Sequence, residues 1–151
     1  MAEMSQPWLP VFISVQDDTH AVVASQHGRI LAARLGFSTV EQTAFSTAIL
    51  EIARNIVKYA GRGDIIFQVV EVETQIGIVV LALDNGPGIA DIELALKDGY
   101  STGKSLGLGL PGAKRLMDSF EIASQPGLGT TITMQKWKGS VSHKVVAMTH
   151  I

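Results

Sequence analysis

The sequence predicts an α+β fold: a two-layer α/β sandwich with helices on one face of a mixed, mostly antiparallel sheet. Three observations predict it. Helices and strands come in segregated groups: a strand, two helices, two strands, a glycine-rich loop with helical pieces, and two more strands. That order suits a sheet covered on one side better than a doubly wound one. Successive strands are joined by short turns, "ETQ" and "PGLG", as in hairpins. The chain has 151 residues, 46% of them apolar, which is enough for one well-buried core and too little for two.

Each element has its own reason. "VFISVQ" (11–16) has the β-branched and aromatic content of a strand. Residues 17–35 carry acids in their first turn and Arg29 and Arg34 toward their end, before Gly36; a helix dipole favours that polarity. Ser38 and Glu41 match a capping box, each satisfying a free amide at the start of a second helix. That helix runs to Ala60, where "GRG" (61–63) stops it. Two strands follow, 64–73 and 75–84. The first alternates toward its end and the second is almost wholly apolar, so they read as a partly exposed edge beside a buried central strand. Helical pieces "IADIELALK" and "LPGAKRLMDS" interrupt a stretch holding most of the fifteen glycines. Strands at 120–125 and 130–137 close a core spanning about residues 10–137, and the pattern of the tail, 138–151, selects no conformation.

Composition excludes several functions. Net charge is −2 with pI near 6.0, so no bulk basic field favours nucleic acid or an anionic membrane. There is no cysteine, which removes disulfides, thiolate metal sites and a thiol nucleophile, and suits a reducing cytoplasm. "MAEMSQPWLPV" lacks the basic start and long apolar region of a signal peptide. The longest apolar run, "IGIVVLAL" (76–83), is too short to span a bilayer. The expectation is a soluble, cytoplasmic, single-domain protein. His20, His27, His143 and His150 read as surface histidines.

"GYSTGKSLGLGLPG" (99–112) imitates two nucleotide motifs and satisfies neither. A Walker loop needs four residues between its first glycine and Gly-Lys-Ser/Thr, after a buried strand. Here three residues separate Gly99 from Gly103, and "IELALKD" before them is helical. A dinucleotide fingerprint needs a preceding strand and an acid about 20 residues on, where this chain has "TITMQK". What survives is their shared physics, flexible glycines presenting free amides at a helix start, which favours an anion such as phosphate.

Three further features fit together. Glu51, Asn55 and Lys58 fall at i, i+4 and i+7, on one face of the long helix. Such a row can accept a proton, ligate a hard cation through oxygen and face a phosphate. An ordinary solvated stripe is the bland alternative, although asparagine is a poor helix-interior residue. Asp84 ends the most apolar strand and is followed by Gly86 and Gly88; at the lip of a strand it can accept a hydrogen bond from a ligand amine. "GLGTT" (127–131) opens the last strand.

Together these pieces resemble the ATP-binding domain shared by DNA gyrase, Hsp90, sensor histidine kinases and MutL. Glu51-x-x-x-Asn55 is similar to its N box, Asp84-x-Gly86-x-Gly88 to the G1 box, Ser105-Leu-Gly107-Leu-Gly109-Leu110 to the G2 box, and Gly127-x-Gly129-Thr130 to the G3 element. Ser105 stands where the G2 box usually has its first glycine. The resemblance covers residues 51–131 and implies a Bergerat-type fold. Within the superfamily, "GLGLPGAKRLMDSFEI" and "TTITMQKW" resemble the small anti-sigma-factor-type serine kinases, especially the stressosome switch kinases.

The resemblance implies a role for each position. Asp84 would take the adenine amino group, with Thr130 in support and Gly86 and Gly88 shaping the loop. Asn55 would bind Mg²⁺, the amides of Gly107, Leu108, Gly109 and Leu110 would hold phosphate, and Lys58 and Lys104 would neutralise transferring charge. Glu51 would be the catalytic base, and residues 89–106 a nucleotide-ordered lid. The implied function is an ATP-dependent protein serine/threonine kinase of bacterial partner switching, acting on STAS-domain proteins, with a PP2C-type phosphatase or a sigma factor as further partner. The alternative is a non-catalytic module whose docking surface is shaped by nucleotide.

Overall fold

The computed structural model describes residues 8–89, 96 and 109–139. The elements are β1 (Val11–Val15), α1 (Asp18–Arg34), α2 (Thr39–Ala60), β2 (Gly63–Val72), β3 (Gln75–Asp84), α3 (Gly109–Leu116), β4 (Ser119–Gln125) and β5 (Gly129–Trp137). The sheet order is β1-β2-β3-β5-β4, and every described pairing is antiparallel. The two-layer α+β expectation therefore holds. The expected helix over "IADIELALK" and the lid at 89–106 lie outside the described residues, apart from Ile89 and Leu96, as does the tail from 140.

Caps set the helix boundaries. The Asp17 side chain accepts from the amide of His20 at 2.9 Å. Both capping-box bonds at α2 are present, Glu41 N–H to Ser38 Oγ at 3.1 Å and Ser38 N–H to Glu41 Oε1 at 2.8 Å. Each such cap is worth about 1 kcal/mol. The second Glu41 oxygen accepts from the Gly139 amide, so the end of β5 is tied to the start of α2.

One side of the sheet carries the core. Ile65 and Phe67 of β2, Ile78, Val80 and Ala82 of β3, and Ile132 and Met134 of β5 are buried against Phe45, Ile49, Ile52 and Ile56 of α2. Full burial of each large apolar side chain contributes roughly 1.5–3 kcal/mol. On α1, a Cβ at Gly28 would stand 2.3 Å from Ile49 Cδ1 and 3.2 Å from Phe67. Any larger residue would push Ile49 and crowd Phe45 and Phe67, so glycine eases the close approach of α1 to α2 and the sheet, which offsets its poor helix propensity.

Two expectations are corrected. β2 is not an edge strand, because β1 pairs along it and leaves β1 and β4 at the edges. Its alternation reflects a helix-covered face and an open face, the latter including Phe12, which is 68% exposed. His27 is not a plain surface histidine: its ring centroid lies 5.2 Å from that of Phe67. Its Nε2 is buried without a hydrogen-bond partner among the described residues. Burial, and secondarily the charge of Arg34, hold its pKa below the usual value of 6.5. Among the described residues, no helix is long and apolar enough to cross a membrane.

Candidate active site

The site begins with the row on α2. Glu51 is buried, Asn55 half-buried and Lys58 exposed. The row thus leaves the core as the helix advances. Lys58 turns back, its Nζ lying 5.2 Å from the ring centroid of Tyr59, a cation–π contact.

Glu51 meets the start of α3. Its Oε1 accepts the backbone N–H of Gly109 at 2.9 Å. Gly109 has φ +68, a left-handed conformation that favours glycine. Pro111 lies in the first turn, where its missing N–H costs little, and Leu110 to Ala113 are buried. At the other end of α3, the almost wholly buried Lys136 donates from Nζ to the carbonyl of Leu116 at 3.1 Å. A carboxylate at the N-terminus and an ammonium at the C-terminus complement the helix dipole at both ends. The Gly109 amide at the start of α3 thus faces Glu51 of α2. Lys104, Gly107 and Leu108 lie outside the described residues.

The second part of the site is a cross-strand row. Register places Gly63, Asp84, Thr130 and Ser124 side by side across β2, β3, β5 and β4. Alternation puts them on the helix-covered face, in line with Ala82, Ile132 and Ile122. Gly63 must be small here, since a Cβ would stand 2.4 Å from the Leu83 carbonyl oxygen and 2.8 Å from Ile56. Asp84 Oδ1 accepts the Gly86 N–H at 2.9 Å, which folds the chain back at the strand end.

The glycines around Asp84 make backbone packing possible. A Cβ at Gly86 would lie 2.6 Å from that of Ala60, and one at Gly88 2.3 Å from the Gln125 carbonyl oxygen. At Gly129, with φ +116, it would lie 2.1 Å from the Asp84 carbonyl oxygen. The Gly127 N–H donates to the Pro87 carbonyl at 2.7 Å. The turn after β3, the end of α2 and the β4–β5 turn are therefore pressed closely together at these glycines. Among the described residues, Gly86 and Gly88 make their close approaches to Ala60 and to the Gln125 and Pro126 backbone.

Sequence reasoning missed Ser124. Its Oγ receives the Ile89 N–H at 2.7 Å, lies 3.1 Å from the Gly129 carbonyl oxygen and 2.9 Å from Thr130 Oγ1. The available signal was a hydroxyl at an inward position of β4, after Phe120 and Ile122. The arrangement thus joins an acceptor pair at the end of the sheet, Asp84 and Thr130, to a carboxylate facing helix amides. The half-buried Asn55 lies on α2, four residues beyond Glu51.

Comparison with known proteins gives this geometry a context. The family described as histidine kinase-, DNA gyrase B-, and HSP90-like ATPase matches residues 40–139. Serine/threonine-protein kinase RsbT of Bacillus subtilis (strain 168) is 46% identical over 125 residues, 83% of this chain and 94% of that one. Anti-sigma F factor of Thermoanaerobacter sp. (strain X514) is 30% identical over 109 residues, 68% of this chain and 75% of that one. Among solved structures, the RsbU and RsbW domains of a Mycobacterium tuberculosis protein superpose with TM-score 0.57 at 19% identity. That match covers 86% of this chain and 32% of the other, so this chain spans about a third of that structure's length. The mycobacterial sensor histidine kinase MprB gives TM-score 0.50 at 19% identity, covering 85% and 96%. At such identities the two structures show the fold alone.

Proposed function

We infer the activity from one premise: the chain belongs to the histidine kinase-, DNA gyrase B- and HSP90-like ATPase family. Within it, the protein is an ATP-dependent serine/threonine kinase of the bacterial partner-switching type. The observation that carries this reading is the meeting of Glu51 with the Gly109 amide. It sets a carboxylate that can take a proton beside the helix start that can hold phosphate.

The proposed chemistry gives each residue a role. The adenine amino group donates to Asp84, and Thr130 supports the same edge. The amides at Gly107 to Leu110 cradle the phosphates. The half-buried carboxamide oxygen of Asn55 suits Mg²⁺, which takes few protein ligands and keeps several waters; when bound, that ion neutralises charge on the phosphates. Glu51 accepts the proton of the substrate serine hydroxyl as the serine oxygen bonds to the γ-phosphorus. The bond from that phosphorus to the bridging oxygen breaks, and ADP leaves with the electron pair. Lys58 and Lys104 are the lysines assigned to balance the transferring charge.

The substrate in this reading is a STAS-domain protein in the cytoplasm, and a PP2C-type phosphatase is the next partner in the switch. A docking module without catalysis is the competing reading, suggested by the printed name of one relative, an anti-sigma F factor. Incubation with γ-labelled ATP, Mg²⁺ and a STAS-domain protein separates them. The kinase reading expects phosphoserine on the STAS protein. Normal ATP binding with no transferred label to any STAS partner would favour the docking module.

A further inference from the structure

The hydroxyl of Ser124 is the hub of a small buried network whose protons can be assigned by elimination. The Ile89 N–H can only donate, so Ser124 Oγ accepts it, at 2.7 Å. The Gly129 carbonyl can only accept, so the single Ser124 proton goes to it, at 3.1 Å. The remaining contact, 2.9 Å between Ser124 Oγ and Thr130 Oγ1, then requires the proton of Thr130. Thr130 is buried, 8% exposed, and has no second proton to offer. Its register partner across β3–β5 is Asp84, which as a carboxylate is also an acceptor.

We propose that Ser124 is a specificity-determining positioning residue: by taking the Thr130 proton, it makes this end of the site all acceptor. The inference rests on the nucleotide-binding reading above and deepens it. An exocyclic amino group has two protons to donate and satisfies such a wall. A keto oxygen at the same place would face lone pairs, and a buried acceptor facing another acceptor is strongly disfavoured. The site therefore selects 6-aminopurine over 6-oxopurine nucleotides, and Ser124 acts by fixing which way the Thr130 hydroxyl points. It also ties Ile89, just past the turn after β3, to β4, so the chain beyond Asp84 is held by the same hydroxyl.

ADP and IDP, which differ in the 6-amino and 6-oxo groups, test this directly by calorimetric titration of the full chain. Wild type is expected to prefer ADP by about 100-fold or more, the discrimination of a site built to bond a polar group. In Ser124→Ala, Thr130 is free to turn its proton toward a keto oxygen, and the preference is expected to fall about tenfold, chiefly through tighter IDP binding. Ser124→Thr, which keeps the hydroxyl, is expected to retain the wild-type ratio. The same Ser124→Ala change in a Thr130→Val background is expected to leave the ratio where Thr130→Val alone sets it, because the effect passes through Thr130. If Ser124→Ala does not fold, Ser124→Cys supplies the test with little change in size. An unaltered ADP-to-IDP ratio in folded Ser124→Ala or Ser124→Cys, or an equal fall when Thr130 is valine, overturns the role of Ser124 and leaves the kinase reading standing. Failure of wild type to bind ADP at all overturns both.

Discussion

The two ends of the site are built by opposite means. At the sheet end, Asp84 and Thr130 are neighbours because β3 and β5 are in register, and glycines clamp the surrounding turns backbone to backbone. At the helix end, Glu51 and Gly109 are 58 residues apart in sequence and are joined by one hydrogen bond of 2.9 Å. The first arrangement is inseparable from the fold. The second is a meeting of two helices, poised by charges at the ends of α3. In the proposed function, recognition falls to the end fixed by strand register, and chemistry to the end where a carboxylate is held by a single hydrogen bond.

The largest effect should come from breaking the clamp. In Gly129→Val, the added Cβ would fall 2.1 Å from the Asp84 carbonyl oxygen at φ +116. The expected cost is roughly 3 kcal/mol or more, from strain and overpacking together. The urea midpoint should drop and nucleotide binding should be lost with it; a wild-type midpoint would mean the clamp yields. Gly127→Ala sharpens the comparison, since φ there is +83 but nothing lies within 4 Å of the added carbon. About 1 kcal/mol is expected.

Glu51→Gln breaks the helix end alone. Glutamine keeps an oxygen for the Gly109 amide but is no base, so phosphoryl transfer should fall about 10²–10⁴-fold with ADP affinity little changed. Asp84→Asn acts at the sheet end. Asparagine can still accept the Gly86 amide, yet presents an amide in place of a full acceptor, so ADP affinity should weaken about 10–100-fold. Both are read by titration beside a transfer assay.

The smallest effect lies outside both ends. The His27 pKa is depressed below 6.5, so the unfolded chain binds more protons than the folded one between the two values. Stability from neutral His27 is full above about 6.5 and is lost as pH falls through that window. His27→Phe should flatten the decline in thermal midpoint between about pH 7.5 and about pH 5; an equal decline in both proteins would assign it to other groups.

Much of this was legible in the sequence because its signals are local. Ser38 and Glu41 announced α2, Gly61 its end, and "PGLG" the β4–β5 turn, since caps and turns depend on neighbouring residues. Glu51 and Asn55 stood out by their helical spacing and Asp84 by its place at the end of an apolar strand, whereas Thr130 was singled out only through the family resemblance. What the sequence hid was lateral. No local pattern says that β1 lies beside β2 and removes it from the edge, or that β4 sets Ser124 against Thr130. His27 was missed for the same reason, because its burial depends on Phe67, forty residues away across the α1–sheet interface. The glycines at 86, 88 and 129 were visible, but the backbones they admit were not.

Single-turnover phosphoryl transfer to a STAS-domain protein, followed against ATP concentration in Glu51→Gln and Asp84→Asn, tests the central division most directly. A lowered plateau at unchanged half-saturation is expected for Glu51→Gln, and a raised half-saturation with the plateau regained at high ATP for Asp84→Asn. If both substitutions change the same parameter, recognition and chemistry are not divided between the two ends of this site.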